Sequence, residues 1–281
     1  MWYHCPYIAS YFGLTMLLAL ELLLHSDNDA TLPPSVARAA HAALLTAMSR
    51  VDAPLVRALH DHDGAVPLTC SNLRGATAHC SGLSVEKEHG YALRITALTA
   101  PVSDLLWETT ARMQGQRLRL DSATFRVMAR RCDGKRGTGR SDYATLSAML
   151  DDGEAAPSVT LNFASPISFK SQGLLWPFPT PELLFGSLAR RWQTFTDQPL
   201  PIEMQHEAAS RIAISRYQMQ SAAISTKGDG FRIGGTGVAS YRVLDRHQTQ
   251  LCATMQMLAA FGSFAGAGIG TTYGMGQLWR L

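Results

Sequence analysis

The residues whose types and spacing could do chemistry are most concentrated in a glycine-rich segment near the C-terminus. Glycines stand at 266, 268, 270, 274 and 276, with Thr271, Thr272 and Tyr273 between them. Because glycine has no Cβ, the backbone N–H groups of such a loop can approach an anion closely. The segment follows a predicted helix and precedes a short apolar strand, so it does not match the dinucleotide-binding fingerprint, which opens a helix. These flanks favour a loop within the fold over a flexible tail.

A second candidate for anion binding is a basic segment between residues 112 and 140. Its cations are Arg112, Arg117, Arg119, Arg126, Arg130, Arg131, Lys135, Arg136 and Arg140, against only two acids, Asp121 and Asp133. A solvated surface and an RNA-facing surface explain this pattern equally well. The whole chain has a formal net charge of +3 and a pI of about 8.6, which permits a nucleic-acid partner without requiring one.

The cysteines form neither a disulfide framework nor a zinc pattern. They stand at 5, 70, 80, 132 and 252, an odd number without a C-x-x-C motif. Cys70, His79 and Cys80 could be drawn as metal ligands, but their spacing matches no zinc site. We therefore predict no metal, no cofactor and a reducing, cytoplasmic location. The sequence also predicts no signal peptide and no transmembrane helix.

The N-terminal half contains the elements that would position the first set of side chains. An apolar run at 17–25 predicts a buried strand, and Leu32-Pro-Pro-Ser35 opens a helix. The apolar stripe of that helix is Val36, Ala40, Leu44, Ala47 and Val51. A second short helix begins at Pro54 and ends at 58–61. Strands follow at 67–73, 91–96 and 118–128, and helices at 103–113 and 142–151.

The second half repeats this order of elements. Strands are predicted at 159–163, 212–219 and 231–244, and helices at 182–195 and 248–261, before the glycine-rich loop. Each half therefore follows the βαββαβ pattern of a ferredoxin-like domain. The predicted fold class is α+β with two tandem ferredoxin-like (RRM-like) domains, at 16–156 and 157–281. Residues 1–15 are an appended segment or precede an alternative translation start.

Four segments in this order resemble one known family. They are Leu32-Pro-Pro to His60-Asp61, Ser141-Asp-Tyr-Ala-Thr-Leu146, Leu161-Asn-Phe-Ala-Ser-Pro-Ile-Ser-Phe169 with the stretch to Trp192, and Gly230-Phe-Arg-Ile-Gly-Gly-Thr-Gly with the terminal glycine-rich loop. Together they resemble the CRISPR-associated endoribonucleases that cut precursor CRISPR RNA at its repeats, the sixth Cas family of the RAMP superfamily. The family's loop often carries a lysine or arginine before its paired threonines, whereas here Gly270 precedes them. Arg38, Arg242 or Arg280 could substitute for that phosphate contact.

The resemblance implies RNA cleavage without a metal. The substrate's 2′-hydroxyl would attack the adjacent phosphate and leave a 2′,3′-cyclic phosphate and a 5′-hydroxyl. This reaction needs a base, an acid and donors for the developing charge, and histidine suits the first two roles. His41 and His60 are the candidate catalytic histidines, and Arg38 and Arg242 the candidate arginines. The alternatives are a half-buried core histidine for His41, a helix-capping residue for His60, and surface charges for the arginines.

The resemblance also implies binding of CRISPR repeat stem-loops, retention of the mature CRISPR RNA and association with other Cas proteins. The candidate RNA-binding residues are Arg126, Arg130, Arg131, Lys135, Arg136, Arg140, Gly266, Gly268, Gly270, Thr271, Thr272, Gly274 and Gly276. Asp61 and Asp63 are expected to raise the pKa of His60. A non-catalytic RNA-binding RAMP subunit is the main alternative function. A nucleotide-binding enzyme is disfavoured because the loop lacks the lysine of phosphate-binding loops.

Overall fold

The described part of the chain divides into two compact units. The structure, a computed structural model, describes residues 16–61, 64–79, 82–225 and 230–281. One unit comprises residues up to 140 together with 272–274, and the other comprises 141–271 and 275–281. The predicted N-terminal extension, His62, Asp63, Cys5 and Cys80 lie outside the described residues. Within the described residues, no helix is long and apolar enough to cross a membrane.

The first unit contains three helices of the described chain and the strands that they cover. The helices are α1 (Ala37–Ser49), α2 (Ala53–His60) and α3 (Ala100–Met113). The strands are β1 (Met16–Ser26), β2 (Ala30–Leu32), β3 (Leu68–Cys70), β4 (Thr77–His79), β5 (Gly82–Val85), β6 (Gly90–Ala97), β7 (Arg117–Leu120), β8 (Ala123–Arg131) and β9 (Gly139–Asp142).

The main sheet of this unit has the strand order of a ferredoxin-like fold. The strands lie in the order β3, β6, β1, β8, β7, and β1 pairs antiparallel with both β6 and β8. Alternate residues of a strand point to opposite faces of its sheet. On one face, Leu18, Leu20 and Leu22 of β1 join the buried core with Leu44 and Met48 of α1. Glu21 therefore points to the opposite face of the same strand.

Helix starts follow the local sequence. Pro54 lies in the first turn of α2, and the Asp52 carboxylate accepts a hydrogen bond from the Leu55 N–H at 2.9 Å. This side-chain cap satisfies a backbone donor that has no partner within the helix. The start of α1 is held from outside, because the Val36 N–H donates to Asn72 Oδ1 at 2.9 Å. Asn72 in turn donates to the Pro34 carbonyl at 3.1 Å.

The second unit has the same fold in the order β13, β14, β10, β15. Its strands are β10 (Ser158–Ile167), β11 (Phe169–Ser171), β12 (Leu174–Trp176), β13 (Ile212–Ser225), β14 (Phe231–Val243) and β15 (Leu278–Arg280). Its helices are α4 (Tyr143–Ser147), followed by a 3-10 turn (Ala148–Asp151), α5 (Pro181–Phe195), α6 (Met204–Arg211) and α7 (Thr249–Ala265). Each unit thus follows a βαββαβ plan, and the predicted fold class is confirmed.

The structure differs from the predicted elements in several places. The strand predicted at 118–128 is the hairpin of β7 and β8, because the backbone turns at Asp121, whose φ is +55°. The small sheet of β2, β5 and β4 and the helix α6 were not predicted. By its packing, the chain passes from the first unit to the second between residues 140 and 141. Tyr143 packs there edge-on against Trp192, with ring centroids 5.1 Å apart.

Candidate active site

Helix α1 presents Arg38 and His41 on one flank, next to Tyr273. Residues three apart are neighbours on a helix surface. The Arg38 guanidinium carbon lies 4.5 Å from the centroid of the Tyr273 ring. The His41 ring meets the same tyrosine edge-on, with centroids 5.4 Å apart and planes inclined at 73°. Arg38 is exposed and His41 is half-buried, so the pair combines a solvent-facing cation with a sheltered imidazole.

The environment of His41 favours its neutral form. Burial lowers the pKa of His41 below its ordinary 6.5, and the positive charge of His60 lowers it further. Its Nε2 is buried and has no hydrogen-bond partner among the described residues. A neutral imidazole with an unpaired nitrogen can accept a proton at neutral pH. A ring that is neutral at neutral pH meets one requirement of a general base.

His60 lies at the last turn of α2 and is exposed. Its influence on the pKa of His41 shows that the two imidazoles are electrostatic neighbours. A cation is favourable at a helix C-terminus, where the backbone carbonyls carry partial negative charge. The structure therefore brings both predicted histidines and Arg38 into one unit. The predicted partner Asp63 lies outside the described residues.

Tyr273 reaches α1 because glycine follows it. Gly274 has a φ of +88°, and its N–H donates to the Cys70 carbonyl at 2.9 Å. A Cβ at this position would lie 2.8 Å from the Ala37 Cβ and 3.2 Å from the Asn72 nitrogen. Such distances leave no room for a side chain, so glycine is required for this approach. Tyr273 was not among the predicted site residues, and its position inside the glycine-rich segment was the signal that could have indicated it.

Most N–H groups of the glycine-rich loop are used within the fold. Gly268 donates to Ser187 Oγ at 3.0 Å, Gly276 donates to the Pro166 carbonyl at 3.0 Å, and Ile269 donates to the Ser168 carbonyl at 2.9 Å. Added Cβ atoms at Gly268 and Gly276 would lie 2.2 Å from backbone oxygens. Among the described residues, only positions 270–273 of the 266–276 loop leave their N–H groups without an acceptor. The part of the loop that can meet an anion is therefore short.

The basic segment does not form one surface with one role. Arg117 and Arg126 pair with Asp27 at 2.9 and 3.2 Å, and Arg112 pairs with Glu108. Arg130 and Arg140 stack on Trp107, with guanidinium carbons 3.4 and 3.8 Å from the ring centroid. Arg131 pairs with Glu21 on the sheet. Lys135 and Arg136 are exposed in the loop that follows β8.

Arg242 belongs to the second unit. It is an exposed residue of β14, opposite Ser158 of β10 and Ala213 of β13. No described ion pair holds it. No cluster of three or more histidine, cysteine, aspartate or glutamate side chains that could hold a metal occurs among the described residues.

The fold is similar to that of several solved structures. Two ferredoxin-like units with a terminal glycine-rich loop are the architecture that the resemblance implies for RAMP proteins. In a search of solved structures, the chain is similar to a product complex of Thermus thermophilus Cas6, with a TM-score of 0.75 and 22% identity, covering 94% of this chain and 100% of that one. It is also similar to a RAMP protein binding different RNA substrates, with a TM-score of 0.62 and 15% identity over 94% of this chain and 99% of that one. At these identities the likeness shows the fold.

Sequence comparisons then add relatives with a stated activity. A family model for CRISPR-associated endoribonuclease Cas6 matches residues 161–278. The CRISPR-associated endoribonuclease Cas6 of Mycobacterium tuberculosis is 27% identical over 251 residues, which cover 85% of this chain and 78% of that protein. Together with the fold, these findings support a Cas6-family endoribonuclease, and the predicted resemblance is confirmed.

Proposed function

We propose that this protein cleaves precursor CRISPR RNA within its repeats by a metal-independent attack of the RNA's own 2′-hydroxyl. The observation that carries the proposal is the placement of His41. It is half-buried, its pKa is lowered, and it lies beside Arg38, Tyr273 and a second histidine in the same unit. These groups match the needs of a reaction that transfers protons and builds negative charge on a phosphate.

In the proposed reaction, the His41 imidazole takes the proton of the 2′-hydroxyl. The 2′-oxygen then attacks phosphorus, and the bond from phosphorus to the 5′-oxygen of the next nucleotide breaks. His60 is the candidate donor of a proton to that leaving oxygen. Arg38 is the candidate partner of the phosphate's charged oxygens, because stacking on Tyr273 holds its guanidinium plane while its N–H groups remain free to donate. The products are a 2′,3′-cyclic phosphate and a 5′-hydroxyl.

The decisive experiment is single-turnover cleavage of a repeat RNA in excess EDTA, with chemical analysis of both new ends. We expect cleavage to persist and the upstream fragment to end in a cyclic phosphate. His41→Ala should slow cleavage by about 100-fold or more while RNA binding persists, the usual size of an acid–base contribution. His206→Ala is the matched control, since His206 is an exposed histidine on α6 in the other unit. A strict requirement for Mg²⁺ would falsify the mechanism.

Some of the proposed RNA contacts provide binding affinity, and others lie near the bond that is cleaved. Lys135, Arg136 and Arg140 are exposed and suited to phosphate contacts, which give affinity with little sequence choice. The N–H groups of Thr272 and Tyr273 lie beside the proposed catalytic residues and suit a phosphate near the cleaved bond. After cleavage, the protein would remain with the mature CRISPR RNA in the cytoplasm and join other Cas proteins. Co-elution of the cut RNA with the protein in size-exclusion chromatography tests this retention.

A further inference from the structure

A buried carboxylate on the sheet of the first unit holds two arginines side by side. Glu21, in β1, is only 1% exposed and lies opposite Arg94 of β6 and Arg131 of β8. One of its carboxylate oxygens accepts from Arg74 and the other accepts from Arg131. The side chains of these two arginines remain 30% exposed. Glu21 thus orients two guanidinium groups whose outer edges reach the surface.

A basic loop is fixed next to this pair. The buried Arg94 donates a hydrogen bond to the Gly137 carbonyl. Within the loop, the Asp133 carboxylate accepts from the Lys135 N–H at 3.0 Å and from Thr138 Oγ1 at 3.0 Å. Arg136 is exposed and adopts a φ of +51°, a conformation that residues other than glycine rarely take. The contact from Arg94 and the hydrogen bonds within the loop therefore hold the loop in one conformation.

The assembled charges do not balance. Among the described residues, this cluster contains four arginines, Arg74, Arg94, Arg131 and Arg136, and two carboxylates, Glu21 and Asp133, an excess of two positive charges. Burial and the charge of Arg74 together lower the pKa of Arg94 to about 9, with Glu21 acting in the opposite direction. Burial likewise lowers the pKa of Arg74; Glu21 opposes this effect, and Arg136 and Arg131 add to it. An anion at this place would relieve the repulsion.

Hydrogen-bonding capacity also remains unused there. The Nε of Arg131 is buried and has no partner among the described residues. Arg136 makes no ion pair within the described part of the chain. An ion-pair network that only stabilised the sheet would need neither the charge excess nor the fixed basic loop. Both features are expected of a preorganised anion site.

We propose that Arg74, Arg131 and Arg136, oriented by Glu21 and by the loop at 133–138, bind a phosphodiester of the RNA. Within this site, named the Glu21 site, Arg74 is a binding residue that the sequence analysis did not include. The identity of the ligand as RNA rests on the proposed function. The existence of an anion site does not, because it depends only on the placement of the charges. Guanidinium groups suit this ligand, since they bind phosphate oxygens through two parallel N–H bonds.

The test compares Arg136→Gln with Arg119→Gln. Both variants remove one exposed arginine from the same basic segment, but Arg119 donates to the Asp121 carbonyl in the β7–β8 hairpin. Binding of repeat RNA is measured at several salt concentrations. We expect Arg136→Gln to weaken binding roughly tenfold, as for one charge-assisted hydrogen bond. It should also reduce the salt slope by about 0.7 to 0.9, the effect of losing one phosphate contact. Arg119→Gln should keep the slope of the unmodified protein.

A second measurement separates the anion site from RNA processing. Millimolar inorganic pyrophosphate should raise the melting temperature of the unmodified protein and of Arg119→Gln, and should raise that of Arg136→Gln and Arg74→Gln much less. An equal rise in all four proteins, or none, overturns the Glu21 site. If pyrophosphate binds there but repeat RNA does not bind the protein, the assignment to RNA is wrong together with the proposed function. If RNA binds with unchanged slope in Arg136→Gln, the site is not an RNA contact.

Discussion

Replacing Gly274 with alanine should disturb the proposed catalytic residues through the backbone alone. The new Cβ would lie 2.8 Å from the Cβ of Ala37 at the start of α1. Overpacking of this kind costs about 1 to 3 kcal/mol. The φ of +88° adds a conformational cost of roughly 1 to 2 kcal/mol for a residue with a Cβ. We therefore expect Gly274→Ala to lower the stability of the first unit by about 2 to 5 kcal/mol.

The functional effect should exceed that of an ordinary stability loss. To relieve the contact, residue 274 must move away from α1, and Tyr273 must move with it. His41 and Arg38 would then lose the ring that lies beside both of them. Single-turnover cleavage of repeat RNA, measured well below the melting temperature, should fall by at least tenfold, since small misplacements of catalytic groups have large effects on rate.

A second substitution separates the cost of overpacking from the cost of the positive φ. Ala37→Gly removes the atom that the new Cβ would meet, so the double variant should recover the overpacking part of the loss and retain the part due to φ. Thermal unfolding of the unmodified protein, both single variants and the double variant forms a double-mutant cycle. If Gly274→Ala melts and cleaves like the unmodified protein, glycine is not required there, and the argument for the placement of Tyr273 is wrong.

Four further outcomes can be measured. Tyr273→Ala should slow cleavage. Tyr273→Phe should cleave at the unmodified rate if the ring, rather than the hydroxyl, orients His41. An equal loss of cleavage rate in both variants would assign the effect to the hydroxyl. His60→Gln removes a charge that lowers the pKa of His41, so the acidic limb of the pH–rate profile, which reports the base, should move to higher pH, and an unmoved limb would show that the histidines are uncoupled. The folded protein holds His41 neutral, so the unfolded chain binds more protons below pH 6.5. The free energy of unfolding should therefore fall as the pH drops from 6.5 toward the lowered pKa of His41. His41→Gln should flatten this dependence of the unfolding free energy on pH. Gly268→Ala should destabilise the protein more than Gly270→Ala. The new Cβ at 268 would lie 2.2 Å from the Ser168 carbonyl oxygen, whereas the one at 270 would lie 3.0 Å from the flexible Met275 side chain. Equal melting temperatures of the two variants would contradict the close packing of the loop around Gly268.

Long periodic segments of the sequence predicted their elements well. The apolar run at 17–25 became β1, and the stripe that begins at Val36 became the buried face of α1, with Met48 taking the place expected for Ala47. Pro54 predicted the start of α2. These elements follow from local rules, because burial of one face and a proline in the first turn are decided within a few residues.

Features that depend on distant residues could not be predicted in this way. The hairpin of β7 and β8 turns at Asp121, an aspartate in a left-handed conformation, without a glycine or proline to mark it. The pairing of Glu21 with Arg74 and Arg131 depends on sheet register, which one sequence does not define. The glycine-rich loop was interpreted as a phosphate cradle, yet most of its amides are used by the fold. That use became visible only with their acceptors, such as the carbonyls of Ser168 and Pro166.

The contact between α1 and Tyr273 has a consequence for the order of synthesis. His41 and Tyr273 are separated by more than two hundred residues of chain. A ribosome therefore completes the strands and helices of the first unit long before the tyrosine leaves the exit tunnel. Until then, Arg38 and His41 can fold onto their sheet but lack the ring between them. A growing or truncated chain should thus bind RNA through its basic segment before it can cut, which would make cleavage a property of the finished polypeptide.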